Sequence, residues 1–336
     1  MKILVTGGAG FIGSHTCVAL IKSGFTPVVV DDFSNSNNKN LKGVEKITGQ
    51  KLKFYKIDCK EHGALTRVFQ QEKNIKGAIH FAAFKSVNES VKFPQKYHEN
   101  NVGSTQNLLR VLEEQNVTNL VFSSSCTVYG QPSVLPVTEE SPIKKAESPY
   151  GETKQICETL INKKYKQRLK LVKSCVLRYF NPIGAHETGL IGEYPLDIPN
   201  NLVPYITQTA AKIREELTVF GDDYNTPDGS CIRDYIHVMD LAEAHLFSLK
   251  WLFNQEKSIN EIYNIGTGNG SSVLEVIQSF EEVNNLKLNY KIGKRREGDI
   301  EKIYASTKKA NKTLNWQAKR TVKQALRDAW CFQKTL

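Results

Sequence analysis

The chain has 336 residues, 40% hydrophobic and 9% aromatic, with 45 Lys and Arg against 35 Asp and Glu. That composition excludes disorder, a collagen-like repeat and a coiled-coil rod, and no window approaches the ~18 uninterrupted apolar residues of a membrane span. Seven scattered cysteines without a Cys-x-x-Cys pair, and seven histidines without His-x-x-x-His spacing, speak against a disulfide framework and a metal site and fit a reducing, cytoplasmic setting.

The apolar run at residues 3–5 is too short for a signal-peptide core. Residues 2–6 read as a buried strand, followed by a glycine-rich turn and an apolar-periodic helix over 11–22 that Gly24 stops. Largely apolar runs at 27–31, 52–57, 77–81, 119–123 and 171–177 repeat the strand pattern, most of them separated by helical stretches. Such alternation implies an α/β fold, a Rossmann-like doubly wound parallel sheet covered on both faces. Ligands of that architecture sit at the carboxyl ends of the strands.

Residues 1–180 are therefore expected to form a dinucleotide-binding domain. From 181 to 201 the chain is rich in Pro, Gly and Asn, which suggests a long ordered connection rather than another crossover. Short elements at 217–220, 240–251, 262–265, 272–283 and 288–292 look like a smaller C-terminal α/β lobe over 181–336. Segments around 233–250 are expected to return to the first domain. The net charge of +10 raises the question of nucleic acid. Its densest stretch, Lys163-Lys164-Tyr165-Lys166-Gln167-Arg168, continues a helix with an apolar stripe of Ile156, Leu160 and Ile161, and reads as a solvated helix face. An anionic ligand could also profit from that field.

The glycine turn Gly7-Gly8-Ala9-Gly10-Phe11-Ile12-Gly13 directly follows the first strand and opens the first helix. Glycine at 7, 10 and 13 lets the backbone turn tightly and approach a pyrophosphate, while the helix N-terminus supplies N–H groups and a positive dipole. Asp31 ends the second strand, where a carboxylate can accept hydrogen bonds from both hydroxyls of an adenosine ribose and repels a 2′-phosphate. Asp32 follows it rather than an arginine, so NAD is favoured over NADP. Asp58, just past the third strand, could face adenine or cap the next helix.

Tyr150-Gly151-Glu152-Thr153-Lys154 follows Ser148-Pro149, a helix-start signal. At i and i+4 the phenol and the ammonium share one helix face. A phenol with pKa near 10 must fall by roughly three units, about 4 kcal/mol, to act as a base at neutral pH. A neighbouring ammonium and a positive nicotinamide could supply that. On its own the Tyr-x-x-x-Lys spacing is common by chance. Ser123-Ser124-Ser125 ends a strand and offers either an active-site hydroxyl or a polar turn.

Together with Ser125-Cys126-Thr127-Val128-Tyr129-Gly130, Arg178-Tyr179-Phe180-Asn181-Pro182, Ile198-Pro199-Asn200-Asn201-Leu202, Arg233-Asp234-Tyr235-Ile236-His237-Val238-Met239-Asp240 and Arg295-Arg296-Glu297-Gly298-Asp299, these segments resemble the extended short-chain dehydrogenase/reductase family, in its UDP-glucose 4-epimerase branch, over essentially the whole chain. The resemblance implies reversible epimerisation at C4 of a UDP-hexose through a transient 4-keto sugar. It implies Tyr150 as acid/base, Lys154 as its pKa-lowering partner and ribose ligand, and Ser125 as the hydroxyl sharing the proton. Phe11, Ile12, Asp31, Asn35, Ser36, Asp58, Cys59, Phe81, Ala82, Lys85, Asn100 and Phe180 would line NAD. Lys85, Asn181, Asn201, Leu202, Phe220, Arg233, Arg296 and Asp299 would hold the UDP-sugar. Independently, a diphosphate needs cations, which Arg233 and Arg296 could supply if they are not surface ion pairs.

Competing chemistries are disfavoured. A nucleotide-sugar 4,6-dehydratase of this fold carries an Asp-Glu pair where Cys126 and Thr127 stand. A UDP-glucuronate decarboxylase or simple dehydrogenase would release carbon dioxide or accumulate reduced cofactor. A non-catalytic NAD sensor would have lost motifs that are present here, and no nucleic-acid motif is recognisable. Ile303 falls where the family gates room at the sugar C2 substituent, which leaves UDP-N-acetylglucosamine 4-epimerase activity as the alternative. The family usually forms homodimers through two helices, here expected at 94–115 and 148–166.

Overall fold

The computed structural model describes residues 1–167, 172–196, 198–199, 201–296 and 299–336. Leu171, Arg168, Asn200, Glu297 and Gly298, which the sequence reading places in a strand, a basic stretch and two motifs, lie outside the described residues. The chain runs β1 (Lys2–Thr6), α1 (Phe11–Lys22), β2 (Thr26–Asp31), α2 (Lys39–Thr48), β3 (Lys53–Lys56), α3 (His62–Gln71), β4 (Ile75–His80), α4 (Val87–Lys92) and α5 (Pro94–Tyr97). Then follow α6 (Gly103–Glu114), β5 (Asn119–Ser125), α7 (Pro149–Gln167), β6 (Lys173–Tyr179), β7 (Asn181–Ile183), α8 (Leu202–Ala210), β8 (Leu217–Phe220), β9 (Ile232–Arg233) and β10 (Tyr235–His237). The remainder is α9 (Val238–Phe253), β11 (Ile259–Ile265), β12 (Ser271–Ser272), α10 (Val273–Asn284), β13 (Tyr290–Gly293), β14 (Lys302–Ile303), α11 (Lys308–Leu314) and α12 (Val322–Gln333).

Seven strands form one parallel sheet in the order β11-β6-β5-β4-β1-β2-β3. Side chains alternate across it. Ile3, Val5, Val29, Val121 and Cys175 pack beneath α1, α2 and α9 on one face, while Leu4, Val28, Val30, Phe122 and Val176 pack beneath α3, α6 and α7 on the other. Both faces are dry, which is why the strands read as apolar runs rather than as alternating ones. This is the doubly wound α/β fold expected from the sequence.

Two expectations need correction. Residues 262–265, grouped above with the second lobe, lie in β11, which pairs with β6 from Ile259↔Lys173 to Ile265↔Tyr179 and forms an edge of the main sheet. Its apolar residues Tyr263 and Ile265 are fully buried in that core. The helix expected over 94–115 is interrupted by a π-helical turn at His98–Val102 between α5 and α6. Such turns insert one residue and shift the apolar stripe without breaking it, so periodicity within each half does not reveal them.

The C-terminal elements outside the main sheet pack around Ile206, Val219, Ile277, Phe280 and Leu326. Small ladders join β13 to β8, β10 to β7, and β9 to both β12 and β14. Here α10 opens with a capping box in which Ser272 and Glu275 satisfy each other's backbone N–H groups. No described helix is long and apolar enough to cross a membrane.

Candidate active site

The carboxyl ends of β1 and β4 meet where the strand order changes direction. Gly7 has φ +70° there, and a Cβ on it would lie 2.7 Å from the Ala82 nitrogen. A Cβ on Gly13 would lie 2.3 Å from the Gly7 oxygen, so the turn closes on α1 and on the exit of β4 only with glycine at both positions. Gly10 stands at the N-cap of α1 without a side-chain cap. The first turn, Phe11-Ile12-Gly13, thus offers its N–H groups to an anion.

Asp31, at the end of β2, accepts hydrogen bonds from Ala9 N (3.0 Å), Phe33 N (3.0 Å) and Ser36 Oγ (2.7 Å). Burial pushes its pKa up, and these three bonds oppose the shift. Asn35 is exposed beside it. Asp58 accepts from Lys60 N at 2.8 Å and shapes the turn before α3, whose N-cap position is Glu61, so Asp58 is not the helix cap. Cys59 is buried, and its carbonyl accepts from Asn107 Nδ2 at 2.6 Å. Phe81, Ala82 and Lys85 leave β4, and Asn100 lies in the π-helical turn. A glycine cradle facing a helix N-terminus, with a buried carboxylate at the end of β2, fits NAD.

Ser148 Oγ accepts from Gly151 N at 3.2 Å and starts α7, with Pro149 as its first residue. The Tyr150 phenol lies close enough to Ser125 for that side chain to favour its ionised form. Lys154 is almost fully buried, its Nζ 2.7 Å from Ser123 O and 5.9 Å from the centroid of the Tyr150 ring. Tyrosine, lysine and serine therefore converge at the carboxyl end of β5.

The three serines differ in their partners. Ser125 Oγ also accepts from Thr127 N at 3.2 Å, so it caps the strand end as well as facing Tyr150. Ser124 Oγ donates to Glu158 at 2.5 Å, and Ser123 Oγ is bonded to the Tyr179 hydroxyl. Electrostatically, burial is the main cause that pushes the Tyr150 phenol up, followed by the neighbouring Tyr179, while Ser125 opposes. The expected lowering is thus not supplied by the protein's own groups. Burial brings Lys154 down to about 8, against the pull of Cys157 and Glu158.

On the other side of the cleft, Asn181 N donates to Asp234 O at 2.9 Å. Phe220 ends β8, exposed, with the Arg296 guanidinium 5.4 Å from its ring centroid. Asp299 accepts from Arg296 at 2.7 and 3.1 Å and lies 3.8 Å from Arg233. The two arginines therefore share one carboxylate; Arg296 is half exposed in its pair, and Arg233 is mostly buried. Ile303 is paired with Arg233 in β14 and β9 and is buried in one cluster with Cys126, Val128 and Phe180, just past the strand that ends in Ser125. Asn201 stands at the N-cap of α8, ahead of Leu202, but donates to Glu193 Oε1 at 2.6 Å instead of capping the helix. Lys85 Nζ donates to the same oxygen at 2.7 Å.

Several organising residues had no role assigned from the sequence. Glu193 is one. Asn101, in the π-helical turn, clamps both backbone groups of Phe84 and donates to Thr153. Glu158 accepts twice from Arg178, which also reaches the Tyr129 hydroxyl. Thr153, Tyr129 and Arg178 stood within motifs already noted, but Glu193, Asn101 and Glu158 did not, and spacing does not show which distant groups they join.

A Rossmann-like sheet carrying a glycine turn and a Tyr-x-x-x-Lys pair, its lysine buried, beside a serine defines an extended short-chain dehydrogenase/reductase. The family model described as GDP-mannose 4,6 dehydratase matches residues 4–329. UDP-glucose 4-epimerase 2 of Arabidopsis thaliana is 47% identical over 98% of this chain and 94% of its own length. The UDP-glucose 4-epimerase of Bifidobacterium longum, crystallised with NAD+ and UDP, superposes with a TM-score of 0.95 at 43% identity, covering 100% of this chain and 98% of that one. That of Stenotrophomonas maltophila, with NAD and formylated UDP-arabinopyranose, gives 0.96 at 41% identity, covering 100% and 98%. Within the broad family of that model, the chain belongs to the UDP-glucose 4-epimerases.

Proposed function

We propose that the protein interconverts UDP-glucose and UDP-galactose with Tyr150 as the acid/base. The observation that carries this is the buried Lys154 ammonium, 2.7 Å from Ser123 O and 5.9 Å from the centroid of the Tyr150 ring, with Ser125 beside that phenol at the end of β5. The enzyme is an NAD-dependent isomerase. Bound at the glycine turn, NAD supplies a hydride acceptor and a positively charged ring that favours the ionised phenol.

The chain's residues do the rest. Tyr150 takes the proton of the sugar 4-hydroxyl, Ser125 shares it, and Lys154, held near pKa 8, keeps its charge at neutral pH. The 4-keto sugar turns over while Asn181, Asn201, Leu202, Phe220, Arg233, Arg296 and Asp299 retain its UDP moiety. Tyr150 then returns the proton as the opposite face is reduced. Net redox change is zero. Dehydration finds no support at Cys126, whose thiol burial pushes up to about 12, nor at the neutral Thr127. Incubating the pure protein with UDP-galactose and no added cofactor, followed by NMR, tests the proposal: UDP-glucose should appear, and its failure to do so would overturn it.

Ile303 supports a preference for unmodified hexoses, because a β-branched side chain buried beside Cys126 limits room near the sugar. Turnover of the N-acetylated pair should rise in Ile303→Gly relative to the plain pair. Residues 1–180 as the NAD-binding domain and 181–336 as the UDP-sugar lobe, with returning segments, remain the proposed division. All seven cysteines are free, in keeping with a cytoplasmic setting. A homodimer through the helical segments over 94–115 and 148–166 is part of the same proposal, and light scattering would test it.

A further inference from the structure

We infer that Glu193 is a positioning residue of this site: its carboxylate holds Lys85 and Asn201 in the arrangement that receives the nucleotide-sugar. The inference rests on the proposal above only in taking Lys85 and Asn201 as substrate-facing groups. Glu193 lies on the connection after β7, where Ala185 and Gly192 form an antiparallel bridge. Its neighbours on either side are held to α2, Gly192 through its backbone and Tyr194 through its side chain. Asn40 Nδ2 donates to Gly192 O at 3.2 Å, and Gly192 N donates to Asn40 Oδ1 at 3.3 Å. The Lys39 ammonium lies 4.4 Å from the centroid of the Tyr194 ring and donates to its hydroxyl. A Cβ on Gly43 would fall 2.3 Å from Leu190 O, so α2 and this connection touch backbone to backbone. Asn40 also donates to Ala9 O at 3.3 Å, which registers the connection on the glycine turn itself.

From that anchored position one oxygen, Glu193 Oε1, receives Lys85 at 2.7 Å and Asn201 at 2.6 Å. Lys85 comes from the exit of β4 and Asn201 from the start of α8, so this carboxylate joins the two sides of the cleft. Lysine has a long flexible stem, and the Lys85 side chain is half exposed. Left alone, it would sample many rotamers, and ordering it would weaken substrate binding. A charge-assisted bond to a fixed acceptor orders it beforehand. Asn201 supports the same conclusion: at an N-cap an asparagine ordinarily bonds the helix backbone, whereas here its amide is diverted to Glu193.

The test uses the full-length protein with wild type, Glu193→Ala, Glu193→Gln, Asn201→Ala and the Glu193→Ala/Asn201→Ala pair. Affinity for UDP is read by calorimetry and epimerisation by KM and kcat with UDP-galactose. Glu193→Ala should weaken UDP binding and raise KM about tenfold, with kcat within about threefold and melting temperature unchanged. Glu193→Gln, which keeps the accepting oxygen, should recover most of the loss, and the double variant should be no worse than the poorer single one. UDP affinity and KM unchanged in Glu193→Ala, or fully additive losses in the pair, would overturn the inference. If Glu193→Ala does not fold, a Glu193→Gln variant as weak as Asn201→Ala would equally overturn it. A wild type that binds UDP without epimerising would refute the proposed reaction while leaving the calorimetric comparison to decide Glu193.

Discussion

At Tyr150 the protein sets a phenol where burial opposes its ionisation and a single serine opposes burial. Replacing it by Phe removes one oxygen and leaves the ring, so turnover should fall about 10²- to 10⁴-fold with little change in melting temperature. Near-normal turnover in that variant would remove Tyr150 from the chemistry. Lys154 is the complementary case. Its folded pKa of about 8 lies below the unfolded value near 10.4, so the folded state binds its proton less tightly. The resulting penalty is full below pH 8 and fades as pH rises towards 10.4, and this group's contribution to stability therefore increases across that window. In protein stripped of cofactor, Lys154→Met should melt above wild type at pH 7, with the gap closing near pH 10, while its turnover drops. A Met variant that melts lower at pH 7 would show that the bond to Ser123 outweighs the buried charge. Tyr150, Lys154 and Ser125 were legible because two of them share a helix face and the third ends a strand. Glu193 was not, since its partner Lys85 is 108 residues away and no local pattern marks either as a pair.

Elements carry the site through what lies beneath them. The α7 helix presents Tyr150 and Lys154 to the cleft, and one turn further it presents Glu158 to Ser124 and Arg178, below the serine that faces the phenol. Arg178 is almost wholly buried, so removing its carboxylate leaves an uncompensated charge. Urea unfolding should show Glu158→Ala destabilised by about 3 kcal/mol, and Glu158→Leu with Arg178→Leu less affected than that single change. A larger loss in the double variant would mean that the pair holds more than its own charges. Most elements of the main sheet could be read from apolar runs and their spacing, to within a few residues at their ends. The π-helical turn at His98–Val102 escaped, because an inserted residue shifts the face without breaking it. The short ladders of β9, β12 and β14 escaped too: two-residue strands have no period.

Across the whole molecule, the main sheet is closed by a strand from late in the chain. Apolar residues of β11 could be found in the sequence, but their sheet could not, since pairing between residues 173–179 and 259–265 is a matter of topology. Charge was legible only as a total, and much of it is locally neutralised, as where Arg233 and Arg296 share Asp299. The β11–β6 ladder also bears on how the protein could be divided. A fragment ending at residue 180 would carry the glycine turn, the serines, the tyrosine and the lysine, and so every group needed to grip the dinucleotide by inventory. It would also leave β6 paired with β5 alone and its other edge open over seven residues, the kind of rim that recruits other chains. Expressed alone, that fragment should aggregate rather than bind NAD, and supplying residues 181–336 in trans should restore solubility; the polypeptide is indivisible at the seam its sequence most plainly advertises.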